Sequence, residues 1–299
     1  MLNGILPIDK PEDFTSFDVI AKLRGVTHTK KIGHSGTLDP MATGVLPLFF
    51  GDATKACSVL QNEDKRYSAE LRLGITTDTE DITGKILSKS ISEVTEEQFR
   101  KAAAAFVGKQ MQTPPMYSAV KVDGRPLYDL ARKGREVERP AKEITVYSID
   151  VTEFCEAEQT AKIEVACGKG TYIRTLIADI GRVLGCGAAM TKLRRTEAGG
   201  FAIKECYTIA EVQEMEKNGT LEAALLPVER LFDRLPRLFL CDFDAHLYKN
   251  GVPLELKKRG WDGINGDIAV FDRCENFLGI SRMDEEKNEL KLRKLFYRG

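Results

Sequence analysis

Lys30-Lys31-Ile32-Gly33-His34-Ser35-Gly36-Thr37-Leu38-Asp39-Pro40-Met41-Ala42-Thr43-Gly44-Val45-Leu46-Pro47-Leu48 contains, between Gly33 and Gly44, a segment that follows neither a helical nor a strand period. Three glycines and a proline surround one aspartate, a composition that permits unusual backbone dihedrals and the close approach of a bulky ligand. On its own, an Asp-Pro pair reads as a turn with an Asx cap. What stands elsewhere in the chain decides whether Asp39 is more than that.

Upstream, Gly4 to Pro11 reads as a short buried strand ending in a turn, and Ser16 as the cap of a helix through about Leu23. Downstream, Arg66 to Gly74 alternates apolar and polar residues as a half-buried strand does. Thr95 and Gln98 stand at capping-box spacing and open a helix that Gly108 closes. From Gln110 to Glu143 the pattern gives way to prolines, glycines and cations (Lys121, Arg125, Arg132, Lys133, Arg135, Arg139, Lys142), a basic, partly helical insertion over 110–142. Thr145 to Phe154 and Ala161 to Cys167 read as successive strands, and Thr171 to Leu184 as an amphipathic helix stopped by Gly185. Another strand and two short helices lead to Leu231. Past Leu235-Pro236, strand-like runs at 266–271, 277–281 and 290–295 suggest a small β-barrel, so the expected division is residues 1–234 and 235–299.

A chain of 299 residues is long for one domain, which also favours a large unit plus a small one. Its 42% hydrophobic and 30% charged content is that of an ordinary globular protein with material for a core. A net charge of -1 gives no global sign of nucleic-acid binding, so an RNA site has to come from local clustering of cations. The seven cysteines are scattered and never form C-x-x-C, which argues against a disulfide framework and a zinc knuckle and fits a reducing cytoplasm. His28, His34 and His246 show no metal-ligand spacing, so no metal is expected. The N-terminal residues reach charge too early for a signal peptide, and no apolar run is long enough for a bilayer; the expectation is a soluble cytoplasmic protein without a membrane partner.

Gly33-His34-Ser35-Gly36-Thr37-Leu38-Asp39-Pro40-Met41-Ala42-Thr43-Gly44 closely resembles the G-H-[ST]-G-[TA]-L-D-P-x-A-[TS]-G box of TruB-type tRNA pseudouridine synthases. Further resemblances follow in the family's order: Lys65-Arg66-Tyr67, Thr77-Asp78-Thr79-Glu80-Asp81, Gln112-Thr113-Pro114-Pro115-Met116-Tyr117-Ser118-Ala119-Val120-Lys121, Gly168-Lys169-Gly170-Thr171-Tyr172-Ile173-Arg174-Thr175-Leu176, and Leu193-Arg194-Arg195-Thr196. The match covers residues 1 to about 230. Residues 235–299 resemble the family's PUA-type RNA-binding domain only loosely.

The resemblance implies an α/β (α+β) pseudouridine synthase fold, with a mixed, mostly antiparallel central sheet flanked by helices. It implies an isomerase that converts uridine 55 in the T-loop of tRNA to pseudouridine with no cofactor and no guide RNA, as a monomer. Asp39 would be the nucleophile, and Arg174 would pair with it. Tyr67 would stack on the uracil and relay a proton, while His34, Tyr172, Leu193 and Lys65 would bind the substrate. An arginine beside a buried aspartate lowers the carboxyl pKa, so Asp39 is expected to be ionised. The target base must leave its stack, at a cost of a few kcal/mol, and the basic 110–142 insertion is the candidate clamp on the RNA phosphates. Lys257, Lys258 and Arg259 would reach the acceptor end of the tRNA.

Two other readings use the same scaffold. A non-catalytic RNA-binding protein would lack Asp39, Tyr67 or Arg174, and all three are present. A guide-dependent synthase of a ribonucleoprotein fits less well with a compact C-terminal segment and no basic tails. Gly168-Lys169-Gly170-Thr171 lacks the spacing of a phosphate-binding loop, so no ATP site is inferred.

Overall fold

The computed structural model describes residues 2–59, 64–118, 120–122, 124–131, 134–135, 137–255, 266–284 and 286–296. Ala119, Arg132, Lys133, Lys257, Lys258 and Arg259, and the side chains of Lys121 and Arg125, lie outside the described residues.

The chain opens with β1 (Gly4–Lys10), α1 (Ser16–Thr27), β2 (Ile32–His34) and β3 (Thr43–Phe50). Next come β4 (Lys65–Leu73), β5 (Ile75–Thr77), β6 (Ile86–Lys89), α2 (Glu96–Ala104) and β7 (Gly108–Gln112). A small hairpin of β8 (Lys121–Val122) and β9 (Arg125–Pro126) and a short helix α3 (Leu127–Ala131) precede β10 (Lys142–Cys155) and β11 (Thr160–Cys167). Then follow α4 (Ile173–Val183), β12 (Ala188–Ala198), β13 (Phe201–Ala202), α5 (Ile209–Lys217) and α6 (Leu221–Ala224). The last part holds β14 (Arg237–Phe239), α7 (Asp242–Lys249), β15 (Leu254–Glu255), β16 (Asp267–Phe271), β17 (Phe277–Asp284) and β18 (Glu289–Leu295).

The large sheet runs β1-β3-β12-β4-β11-β10-β7, with β2 on β3 and β13 on β12. Its pairings are antiparallel except that of β3 with β12, which are parallel where Arg194 faces Thr43 and Arg195 faces Gly44. The mixed, mostly antiparallel sheet expected from the family resemblance is therefore present. In β4 the alternation puts Tyr67, Ala69, Leu71 and Leu73 on the buried face. Helix α4 meets that face with Ile173, Leu176, Ile177 and Ile180, an i, i+3, i+4, i+7 stripe, and α2 adds Phe99 and Ala103. This core lies under the segment that carries Asp39, because Leu38, Met41 and Ala42 belong to it.

Several local details differ from the expected ones. The cap of α1 is Thr15, whose hydroxyl accepts from the Asp18 amide in a full capping box, and the helix continues to Thr27. Ser16 is engaged elsewhere, as described below. Helix α2 has its expected Thr95–Gln98 capping box but ends at Ala104, and Gly108 instead starts β7 at φ +115°. Ile32 to His34 pair with β3, so the irregular segment is narrower than Gly33 to Gly44. The basic insertion is bounded by strands β7 and β10, which pair with each other. Gly185, at φ +76°, does follow α4 and donates to the Arg182 carbonyl.

The C-terminal strands take the form of a curled half-barrel, a five-stranded sheet ordered β14-β16-β17-β18-β15. It shares an apolar cluster with the large sheet: Ile5, Val45, Phe49, Phe201 and Phe232 pack with Ala269, Phe271, Ile280 and Phe296.

Candidate active site

Four consecutive parts of the Asp39 segment are each held by a buried side chain from elsewhere. Arg195, fully buried in β12, donates through Nη2 to the Gly36 carbonyl at 3.0 Å and through Nε to the Val45 carbonyl at 2.7 Å. The Ser16 hydroxyl accepts from the Leu38 amide at 2.9 Å and faces the Leu38 carbonyl at 3.3 Å. Lys10, also fully buried, donates to the carbonyls of Pro40, at 3.1 Å, and of Pro11, at 2.8 Å. Arg174 takes the carboxylate itself: its Nε lies 2.9 Å from Asp39 Oδ2. A segment with little regular structure is thereby fixed through its main chain, which aims Asp39 without a helix or strand.

Arg174 stands in the first turn of α4 with 4% of its side chain exposed, so it is a buried charge and not a helix-surface one. Besides Asp39 it meets the carbonyls of Thr79 and Tyr117, both at 2.8 Å, and the carboxylate of Asp81 at 3.6 Å. A buried guanidinium is tolerable only when its donors are met in this way. Asp81 is in turn anchored by the hydroxyls of Thr79 and Thr83 at 2.8 and 2.6 Å. Gln112 fixes the start of the same helix: its side chain accepts from the Tyr172 amide at 2.8 Å and donates to the Tyr172 carbonyl at 3.1 Å. Four of the matched motifs thus meet around one arginine.

Asp39, Lys65, Tyr67, Tyr172, Arg174 and Leu193 line one cavity of about 290 Å³. Tyr67 and Leu193 come from neighbouring strands, with Leu193 paired to Ala69, and both are 7% exposed. Lys65 lies against the Gly36 turn: a Cβ on Gly36 would be 3.5 Å from Lys65 Cε. His34 is not among the lining residues; it ends β2, one residue before the lining stretch begins at Ser35. Its Nδ1 is buried and has no hydrogen-bond partner among the described residues, and burial, with Arg195 nearby, pushes its pKa down, which keeps the ring neutral.

The electrostatics correct one expectation. Burial pushes the Asp39 carboxyl above the usual carboxylate range, and Asp81 pushes the same way, while Arg174 and Lys10 oppose without reversing the shift. The side chain keeps 37% of its surface open to the cavity, so the walls around the carboxyl rather than full enclosure raise the cost of its charge. Burial also raises the Tyr67 phenol, against the pull of the Arg195 cation. Tyr67 is therefore a neutral phenol at rest. Lys10 is pushed down to about 8 by burial, with Asp39 pulling it back.

Sequence reasoning missed Arg195, Lys10, Ser16, Asp81 and Gln112. Asp81, Gln112 and Arg195 stand inside matched motifs, and Arg195 also lies two residues from Leu193 on the same inward face of a strand, whereas Lys10 and Ser16 carried no such signal. Among the described residues, no group of His, Cys, Asp and Glu could hold a metal ion, and no helix is long and apolar enough to cross a membrane.

Comparison with known proteins converges on one family. Residues 24–173 match the model of the TruB family pseudouridylate synthase N-terminal domain, and residues 174–233 that of the tRNA pseudouridylate synthase B C-terminal domain. A tRNA pseudouridine synthase B of Bacillus subtilis (strain 168) is 42% identical over 94% of this chain and 93% of its own length. One from Clostridium tetani is 39% identical over 95% and 97%. Among solved structures, a Cbf5-Nop10-Gar1 complex contains a chain superposing with a TM-score of 0.76 at 25% identity, covering 99% of this chain and 85% of that one. With half the chain matched by the N-terminal model, and with relatives this similar over nearly its full length, the chain belongs to the TruB family of pseudouridylate synthases.

Proposed function

We propose that the protein isomerises uridine 55 in the T-loop of tRNA to pseudouridine, acting without a guide RNA, with Asp39 as nucleophile. The observation that carries this reading is the Asp39–Arg174 pair at 2.9 Å inside a cavity walled by Tyr67, Tyr172 and Leu193. The relatives named tRNA pseudouridine synthase B support tRNA as the substrate.

The reaction exchanges two bonds within one nucleotide. N1–C1′ is broken and C5–C1′ is formed, while C5 gives up its proton and N1 gains one, so no atom enters or leaves. Asp39 supplies the nucleophilic carboxylate. Arg174 orients it and limits the rise of its pKa. Leu193 and Tyr67 sandwich the uracil, and the Tyr67 phenol, neutral at rest, passes a proton as a relay rather than as a standing base. Tyr172 closes the wall, Lys65 meets a phosphate, and His34, a neutral ring beside the cavity mouth, holds the extruded strand. Arg135, Arg139 and Lys142 of the basic insertion clamp the phosphates, and residues 235–299 form a PUA-like RNA-binding domain beside a catalytic domain of residues 1–234. The protein works as a monomer in the cytoplasm.

The likeness to a chain of the Cbf5-Nop10-Gar1 complex raises a second reading, a synthase that works within a ribonucleoprotein. The higher identity to the single-chain synthases over nearly the whole length favours the first. One experiment separates them. The purified protein alone is incubated with an unmodified tRNA transcript, and pseudouridine is mapped by carbodiimide treatment and primer extension, with Asp39→Asn as control. Modification in the T-loop by the wild type only is the expected result. No modification refutes the stand-alone enzyme, and activity in the variant refutes the role of Asp39.

A further inference from the structure

Tyr147 packs beside Gly168, a residue of the Asp39 cavity wall, with 50% of its surface exposed. The register of β10 against β11 shifts between Val146 and Ser148, a bulge that takes Tyr147 out of the regular ladder and re-aims its side chain. Its hydroxyl donates to Asp64 Oδ1 at 2.8 Å and lies 3.4 Å from where a Cβ on Gly168 would be. Gly168 lines the Asp39 cavity, and Asp64 lines a second cleft, of about 980 Å³, that runs past Arg66 and Phe201 to Arg234. The two hollows share Ala198 and Gly199 as a common wall. The tyrosine therefore stands between them, tethered at its hydroxyl and open at its ring.

Drawing a uridine out of an RNA loop leaves its chain neighbour with an uncovered π-face. An aromatic ring fixed beside the cavity can replace the lost partner, and tethering in advance reduces the entropy lost on contact. We propose that Tyr147 is a stacking platform for a nucleobase adjoining the flipped uridine, which places the neighbouring RNA strand on the path between the two hollows. The proposal rests on the RNA-modifying function above.

The test is a cycle between protein and RNA. Wild type, Tyr147→Phe and Tyr147→Ala are titrated with a T-arm RNA and with the same RNA made abasic at either neighbour of the target. Tyr147→Ala should weaken binding by about 5- to 150-fold, the range seen for one base–aromatic stack, and Tyr147→Phe, which keeps the ring and loses the tether, should lose only a small part of that. The abasic RNA that removes the contacted base should weaken binding by the wild type and not by Tyr147→Ala. A mere strap between β10 and Asp64 predicts the opposite: Tyr147→Phe loses melting temperature, and the abasic penalty is equal in both proteins. That result, or unchanged binding by Tyr147→Ala, overturns the proposal. If the wild type forms pseudouridine and the cycle shows no coupling, the stacking role alone fails; if it forms none, the premise falls and the proposal with it.

Discussion

A Cβ added to Gly44 would sit 2.2 Å from the carbonyl oxygen of Arg195. The two residues face each other where β3 and β12 run parallel, and Gly44 has φ +102°, where a side chain is strained. Gly44→Ala must push the strands apart and disturb Arg195, whose side chain holds the carbonyls of Gly36 and Val45. The expected loss is about 3 kcal/mol or more, at the upper end of single-substitution effects. Urea unfolding measures it; a midpoint equal to that of the wild type would refute this account of the junction.

Arg174 is predicted to be irreplaceable for two separable reasons. Truncation in Arg174→Ala leaves the carboxylate of Asp81, 6% exposed, without its cation, and breaking a buried pair costs about 3–5 kcal/mol. Arg174→Lys restores a charge but cannot span Asp39 and the carbonyls of Thr79 and Tyr117 together. It should recover part of the stability while single-turnover rates stay down by about 100-fold, the scale of a small misplacement of a reacting group. Equal recovery of folding and rate would show that charge alone matters.

In the proposed role of nucleophile Asp39 has to be ionised, and its pKa lies above the ordinary carboxylate value of about 3.9 because burial outweighs Arg174. Activity should therefore fall with decreasing pH through a value above 3.9. In Arg174→Gln the opposing cation is gone, so the acid limb should move to still higher pH. For stability, a raised folded pKa is a contribution fully present below the unfolded value and lost as pH rises through the folded one. Asp39→Asn should then melt higher than the wild type at neutral pH and show no such gain below pH of about 3.9. A pH–rate profile and paired melting curves check both; an acid limb at or below the ordinary value refutes the first, and a less stable Asn variant at neutral pH the second.

The chemistry of Tyr67 can be separated from its packing. Tyr67→Phe keeps the ring between Leu193 and its core neighbours and removes only the hydroxyl. Folding should survive, while the chemical step slows by about 10²–10⁴-fold, the usual contribution of a proton-transfer group. A rate within twofold of wild type would assign Tyr67 to stacking alone.

What was legible in the sequence was what is encoded over short spans. The β4 alternation, the Thr95–Gln98 capping box and the α4 stripe each depend on residues within a few turns, and the structure has all three. Asp39 and its partners were legible because each stands in a dense local motif, and the fold brings Lys65, Tyr67, Tyr172, Arg174 and Leu193 to one cavity. The supports were not. Ser16 looked like a cap because serine beside a helix start normally is one, yet Thr15 takes that place and Ser16 reaches Leu38. Lys10 and Arg195 contact the segment across 30 and 159 positions, and no local pattern encodes such pairing. The direction of the Asp39 shift was misjudged for a related reason: the sequence displayed the arginine but not the depth of the walls.

The C-terminal sheet is predicted to be part of the folding unit and not a separable appendage. Phe232 precedes that sheet, yet its ring lies 5.5 Å from Phe277, which opens β17, and 5.7 Å from Phe296, which follows β18. The same cluster includes Ile5 and Phe49 of β1 and β3, whose strands support the Asp39 segment through Gly44 and Val45. Phe232→Ala should cost about 3–5 kcal/mol, as large-to-small changes in packed aromatic sites do. A chain ending at Arg234 would uncover this surface, bind a hydrophobic dye such as ANS and unfold at lower urea than the full chain. The full chain should unfold in one transition whether followed by hydrogen exchange in the C-terminal strands β16 to β18 or by circular dichroism. Two separated transitions, with the earlier one confined to the C-terminal probe and a truncated chain as stable as the intact one, would mean that the aromatic contact joins two independent domains and contributes little to either.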